Sequence, residues 1–420
     1  MNIKLRLIIM NFLQFFVWGA WLISIGVYLG GTLHFTGVQI GSIFLTLGIA
    51  SCIMPAVMGI IADKWMNAER VLGLCHVMGA ACLYWASTVT DPDMFFWVML
   101  LNSMFYMPTI ALNNTVSYII LENKGFDIIR DFPPIRVWGT IGFIAAMWIV
   151  DIFGWKASNM QLVFSSISAL ILGLYAFSMP ACPPLKSNQS KSLATMLGLD
   201  AFILFKQRKM FIFFLFSMFL GAALQITNAF GGLFLESFDS TYPDSFGVKH
   251  PILLLSISQI SETLFILTIP FFLRRFGIKN VMLMSFFAWV FRFGLFGLGN
   301  PGSGLPLLFL SMVVYGMAFD FFNISGSLFV EKEAPPAIRA SAQGLFMLMT
   351  NGIGSMIGGY GSGLIVDLYT KTDPVSKEIV SRDWPSIWFT FAGYALILGL
   401  IFPLVFRYRH DRTKLQPAHY

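Results

Sequence analysis

Charge is what this sequence has least of. Only 11% of its 420 residues are Asp, Glu, Lys or Arg, where a soluble domain carries roughly 25%. Too little polar surface remains to cover a globule in water, so a water-soluble protein is excluded. Cysteine is scarce as well. Cys52, Cys75, Cys82 and Cys182 show no CxxC or metal-ligand spacing, and three of them lie in apolar segments. They read as free buried thiols and exclude a disulfide framework. No nucleophile–base constellation, phosphate-binding loop or metal cluster is present, so neither an enzyme nor a cofactor is expected. The net charge is +6, but the basic residues sit in short loops between apolar segments. That pattern sets membrane topology and does not mark a nucleic-acid partner. The N-terminal MNIKLRLIIMNFLQFF lacks a small-residue cleavage site and reads as a first spanning helix.

What the chain has in abundance is apolar length. A spanning helix needs about 20 apolar residues, and 57% of the residues are hydrophobic. Twelve spans are predicted, at 5–30, 38–62, 71–90, 94–120, 133–153, 160–180, 210–236, 251–273, 280–299, 304–330, 337–366 and 386–406. The longest connection, 181–209, opens CPPLKSNQSKS near mid-chain. It separates an N-terminal six-helix half (1–180) from a C-terminal half (210–420). With the N-terminus in the cytoplasm, 20 of the 27 Lys and Arg residues fall in cytoplasmic segments and five in outer loops. Arg136 and Arg292 lie in or at the edge of spans. This bias places both termini inside the cell.

The halves echo one another. DFPPIRVWGT (Asp131 to Thr140) opens span 5, and EAPPAIRASAQG (Glu333 to Gly344) opens span 11. Proline suits the first turn of a helix, where its missing N–H is not needed. GIIADKW (Gly59 to Trp65) follows span 2, and PFFLRRFGIK (Pro270 to Lys279) follows span 8. Gly59, Asp63 and Lys64 resemble the loop motif of the major facilitator superfamily, in which Asp63 and Lys64 would belong to a gating loop. Met66 and Asn67 depart from that motif. The expected fold is an all-α integral membrane protein, twelve transmembrane helices in two pseudo-symmetric six-helix halves. Such repeats commonly hold a binding site between them.

Ionisable residues inside a membrane are functional candidates by default. Arg136, Glu262, Arg292 and Asp320 qualify, with an ion pair to a carboxylate as the alternative for Arg292. Their neighbours fall on helical faces. Arg136, Thr140 and Phe143 form one stripe, Gln225 and Asn228 a second, Gln259 and Glu262 a third. Tyr315 and Phe319 form a fourth beside Asp320. Amides carry both donors and acceptors, and aromatic rings can stack on a flat solute. No basic cluster is available for a phosphate. The set suits a neutral, polar, partly aromatic solute, which a nucleoside satisfies and a sugar also could. His76 reads as a packed neutral histidine. Asn113 and Asn114 either line a pathway or pair helices, and Trp18 and Trp21 are either interface anchors or pathway residues.

The longer stretches narrow the choice. ADKW at Ala62, DFPPIR at Asp131, LQITN at Leu224, SISQISETLFILTIPFF at Ser256, AFDFFNISGS at Ala318 and IRASAQG at Ile338 resemble the bacterial nucleoside:proton symporter family over essentially the whole chain. The resemblance implies proton-driven uptake of nucleosides such as uridine across the inner membrane, by a multi-pass protein expected to act as a monomer in lipid. It also implies that Arg136, Thr140, Phe143, Gln225, Asn228, Gln259, Glu262, Tyr315 and Phe319 contact the substrate. Burial disfavours the charged form of a carboxyl, so Glu262 and Asp320 are both candidates for the proton, and the sequence does not choose between them. A proton-coupled sugar symporter is the alternative function.

Overall fold

The structure is a computed structural model, and it describes residues 2–184, 199–376 and 378–408. Residues 185–198 of the linker predicted at 181–209, and the hydrophilic C-terminal end, lie outside the described residues. The main helices are α1 (Ile3–Gly19), α2 (Gly37–Lys64), α3 (Ala68–Ala86), α4 (Pro92–Asn123), α5 (Ile128–Ile152) and α6 (Met160–Phe177). They continue with α7 (Arg208–Glu236), α8 (Pro251–Leu298), α9 (Leu305–Glu333), α10 (Arg339–Met347), α11 (Ser355–Leu368) and α12 (Trp384–Val405).

Eight of the described helices are long and apolar enough to cross a membrane. One of them, α8, has 48 residues. At 1.5 Å per residue that is about 72 Å, more than twice the ~30 Å hydrocarbon core. It breaks at Gly277, whose φ of 77° and ψ of 164° favour glycine, and so crosses twice. Three further crossings are made by α3, by α1 with its continuation, and by α10 with α11. The chain therefore makes twelve spans. The first is interrupted: α1 ends at Gly19, helix resumes at Ile25–Val27, and a π-helical turn, Tyr28–Thr32, closes it. A second π-helical stretch, Leu348–Gly354, joins α10 to α11.

Local chemistry fixes the helix ends. Thr36 and Gln39 form a reciprocal capping box at the start of α2: Gln39 N–H donates to Thr36 Oγ1 (3.2 Å) and Thr36 N–H to Gln39 Oε1 (2.9 Å). Asp91 caps α4, with Pro92 in its first turn. Asp127 caps α5, and this moves the start of that helix upstream of the prediction. Pro133 and Pro134 consequently sit inside α5 and not in its first turn. In the second copy α9 ends before Pro335 and Pro336, because Ala334 is extended (φ −76°, ψ 138°) as a residue preceding proline prefers. An unforeseen hairpin, Thr370–Thr372 paired antiparallel with Ile379–Arg382, links α11 to α12.

Among the described residues, two compact units are distinguished. The first holds the residues up to 184 together with Gln225–Leu233 and Asn351–Asp367; the second holds 199–224, Phe234–Thr350 and the residues from Leu368 onward. In the first unit an aliphatic core joins α1, α3, α4 and α6 through Leu7, Leu72, Val116 and Leu172, all fully buried. Gly19 and Gly142 let α1 and α5 approach backbone to backbone, against Phe143 and Phe12 respectively. The α2–α11 contact is likewise made of glycines: a β-carbon on Gly37 would lie 2.6 Å from the Gly363 carbonyl oxygen. The second unit is packed with phenylalanine. The Phe213 ring lies 4.7 Å from Phe329 and 5.4 Å from Phe346, and Phe286 lies 5.5 Å from Phe322 and 5.2 Å from Phe402.

Candidate functional site

In the first unit, Arg136 and Phe143 are carried by α5 where it crosses α1. The Arg136 guanidinium carbon lies 3.9 Å from the centre of the Phe15 ring, a cation–π contact. The Phe143 ring stands edge-on to Trp18 at 6.2 Å and 87°, and Trp18 lies 5.6 Å from Tyr106. The Trp18 indole nitrogen is buried without an acceptor among the described residues. Thr140, one turn from Arg136, is half-buried. Gln225 is buried and donates from Nε2 to Ser355 Oγ (2.9 Å), while its Oε1 has no donor among the described residues. Asn228 is half-buried one turn further along α7.

Behind these residues runs a polar core. Gln14 Nε2 donates to Thr109 Oγ1 (2.7 Å), Gln14 Oε1 meets His76 Nε2 (2.8 Å), and Tyr106 donates to the Gln14 carbonyl (2.8 Å). His76 is thus a buried, paired histidine. Asn113 Nδ2 donates to Asn11 Oδ1 (2.8 Å), so this asparagine pairs α4 with α1. These bonds leave the amides and rings of α1 and α4 in fixed orientations.

In the second unit, α8 and α9 meet where Gly316 lies against Ser261 and Glu262. The contact brings Tyr315 and Asp320 of α9 into electrostatic reach of Glu262. Tyr315 is buried and stacks on Phe319 with the rings 6.5 Å apart and 9° from parallel. Gln259 Oε1 and Asp320 Oδ2 are both buried with no donor among the described residues. Glu262, Tyr315, Phe319 and Asp320 therefore lie together, two near-parallel rings and two carboxyls, with the Gln259 amide one turn from Glu262 on α8. Arg292, whose alternative reading was an ion pair, has no such partner among the described residues. It donates instead to Ser258 and the Ser311 carbonyl.

Asp63 and Lys64 occupy the last turn of α2 and are exposed. The positive Lys64 suits the C-terminal end of the helix dipole. Sequence reasoning missed Ser355 as the partner of Gln225, and it missed two ion pairs at corresponding points. Lys4 Nζ lies 2.8 Å from Asp131 Oδ1, and Lys209 pairs with Glu333. The signal was present, because each acid precedes its Pro-Pro by the same step. Outside the spans, Cys182 N–H donates to Glu69 Oε2 (2.8 Å), and burial, reinforced by the Glu69 carboxylate, pushes the Cys182 thiol up to about 12.

Comparison with known proteins converges on one family. The family model described as nucleoside H+ symporter matches residues 1–411. A xanthosine permease of Escherichia coli strain K12 is 55% identical over 419 residues, covering 99% of either chain. The nucleoside permease NupG of the same organism is 54% identical over 416 residues, covering 98% of either chain. The crystal structure of the nucleoside transporter NupG superposes with a TM-score of 0.91 at 54% identity, covering 97% of this chain and 100% of that one.

Proposed function

The chain belongs to the nucleoside H+ symporter family, and from that premise we propose how it works. It is a membrane transporter, not an enzyme, and it takes up nucleosides together with protons. We place it in a bacterial inner membrane with both termini cytoplasmic, a reading supported by the lysine and arginine bias of the loops. It acts as a monomer with two six-helix repeats, residues 1–180 and 210–420, joined by the linker 181–209. The carrier alternates between outward-open and inward-open states, and the α2 loop at Asp63 and Lys64 belongs to the gating machinery.

The observation that carries the mechanism is the cluster on α8 and α9. A carboxyl with an unpartnered oxygen, Asp320, lies on the helix that carries a stacked aromatic pair and within electrostatic reach of a second carboxyl, Glu262. An ionisable residue inside a membrane is a functional candidate by default, and two acids within electrostatic reach of one another make this pair the candidate site for the coupled proton. Tyr315 and Phe319 offer ring faces to a base. Gln259 offers an acceptor to a base N–H, and Glu262 accepts from a sugar hydroxyl or a base. In the first unit Arg136 supplies donors, Phe143 a ring edge, Gln225 a free acceptor, and Thr140 and Asn228 hydroxyl and amide groups. Protonation neutralises the acid cluster, which favours the inward reorientation of the loaded carrier within an apolar medium. Competition against labelled uridine uptake tests the substrate class. Nucleosides at micromolar to millimolar concentration should compete, while free ribose and disaccharides should not. Competition by disaccharides alone would replace this reading with a sugar symporter.

A further inference from the structure

Arg292 is 2% exposed in the second arm of α8, with no ion-pair partner among the described residues. Removing a charged group from water is costly even after relaxation, so the contacts that hold this cation are what define its role. Its surroundings are specific. Nη1 donates to Ser258 Oγ (3.2 Å) and to the Ser311 carbonyl oxygen (3.0 Å), and Ser311 Oγ returns a bond to the Arg292 carbonyl (2.9 Å). The guanidinium carbon lies 4.5 Å from the centre of the Tyr315 ring and 5.3 Å from that of Phe296. Trp289 braces the same tyrosine edge-on at 5.9 Å and 90°.

Each of these contacts leads to the cluster. Ser258 immediately precedes Gln259. Ser311 lies one turn before Tyr315 on α9. Tyr315 itself is in electrostatic reach of Glu262, Arg292 and Asp320. We propose that Arg292 is a positioning residue for nucleoside binding: it touches no substrate, but its planar cation holds the Tyr315 ring and ties α9 to both arms of α8. A planar guanidinium can stack on a ring and bond in its own plane at once, which an ammonium cannot. The role rests on the assignment of Tyr315 as a nucleoside contact.

A double-mutant cycle on the purified full-length protein tests this, with uridine affinity measured by calorimetry and KM and Vmax measured after reconstitution. Arg292→Met and Tyr315→Ala are each expected to weaken uridine binding about tenfold. The double variant should bind no worse than Tyr315→Ala alone. KM should rise with Vmax held within about twofold, and Arg292→Lys should recover part of the loss. Unchanged affinity in Arg292→Met, or losses that multiply to about a hundredfold in the double variant, would overturn the proposal. If Tyr315→Ala alone leaves affinity unchanged, the assignment of Tyr315 as a contact falls first, and the positioning role falls with it. Should Arg292→Met fail to insert, the same cycle runs with Arg292→Lys. A roughly threefold loss must then appear with Tyr315 present and vanish with Tyr315→Ala, and an equal loss in both backgrounds overturns the proposal.

Discussion

Gly316 sits against the backbone of Ser261: a β-carbon added there would lie 2.6 Å from the Ser261 carbonyl oxygen and 2.8 Å from the Glu262 nitrogen. Both neighbours are backbone, so neither can swing aside as a side chain would. Gly316→Ala must push α9 away from α8 and separate Tyr315 from Glu262. The expected outcome is a destabilisation of about 1–3 kcal/mol, typical of overpacking, with weaker uridine binding. Thermal unfolding in detergent and a binding isotherm check both. Gly294→Ala, where nothing lies within 4 Å of the added carbon, serves as the silent control within the same unit.

The paired lysines at the starts of α1 and α7 make a second prediction. Lys4 with Asp131 and Lys209 with Glu333 are partly exposed, so solvent screening keeps the contribution of each bridge small. Lys209→Glu alone should lower the unfolding temperature, and the exchanged pair Lys209→Glu with Glu333→Lys should recover most of the loss. The recovery, read in a double-mutant cycle, separates a real pair from two unrelated surface charges. Lys4→Glu with Asp131→Lys should behave in the same way.

Cys182 gives a prediction in pH. Its folded-state value of about 12 lies above the ordinary thiol range. The group therefore stabilises the folded state fully below the unfolded thiol's pKa of roughly 8.5, and that contribution is lost as pH rises toward 12. At neutral pH the thiolate is almost absent, and alkylation of Cys182 in folded protein should run about a hundredfold or more below that of an unfolded thiol. Mass-spectrometric labelling before and after denaturation measures the ratio. Glu69→Gln removes the carboxylate that accepts the Cys182 N–H and should narrow it.

The two acids of the second unit are separated by neutral isosteres. If Asp320 carries the proton, Asp320→Asn abolishes accumulation against a gradient and flattens the pH dependence, while exchange of nucleoside across the membrane survives. Glu262→Gln would then raise KM and keep the coupling. The reverse pattern assigns the proton to Glu262, and Asp320→Asn with accumulation and pH dependence intact excludes Asp320 as the carrier. Proteoliposome uptake with an imposed pH gradient distinguishes the cases.

Much of this architecture is legible in the chain because lipid imposes a simple rule: long apolar runs become helices. The twelve spans follow from length and hydropathy, and Gly277 divides α8 where the loop echo FGIK lies. Helix starts were less legible, since they depend on caps. Asp127 begins α5 upstream of Pro133 and Pro134, whereas an extended Ala334 ends α9 before Pro335, so one repeated motif yields two local structures. The interruption of the first span lies at Ala20–Ser24, in a run too apolar to announce it. The polar stripes were readable from i, i+3 and i, i+4 spacing. What spacing could not supply is partnership across helices: Gln225 with Ser355, Gln14 with His76, and an arginine whose neighbours are serines and aromatic rings instead of an acid.

Nucleoside uptake by this carrier is coupled to the inward movement of protons. The direct test is uptake of labelled uridine in cells that lack other nucleoside carriers, with and without a protonophore. Concentrative uptake that the protonophore reduces to equilibration is the predicted result. Uridine that still accumulates after the proton gradient is dissipated, in cells with well-expressed protein, would contradict it.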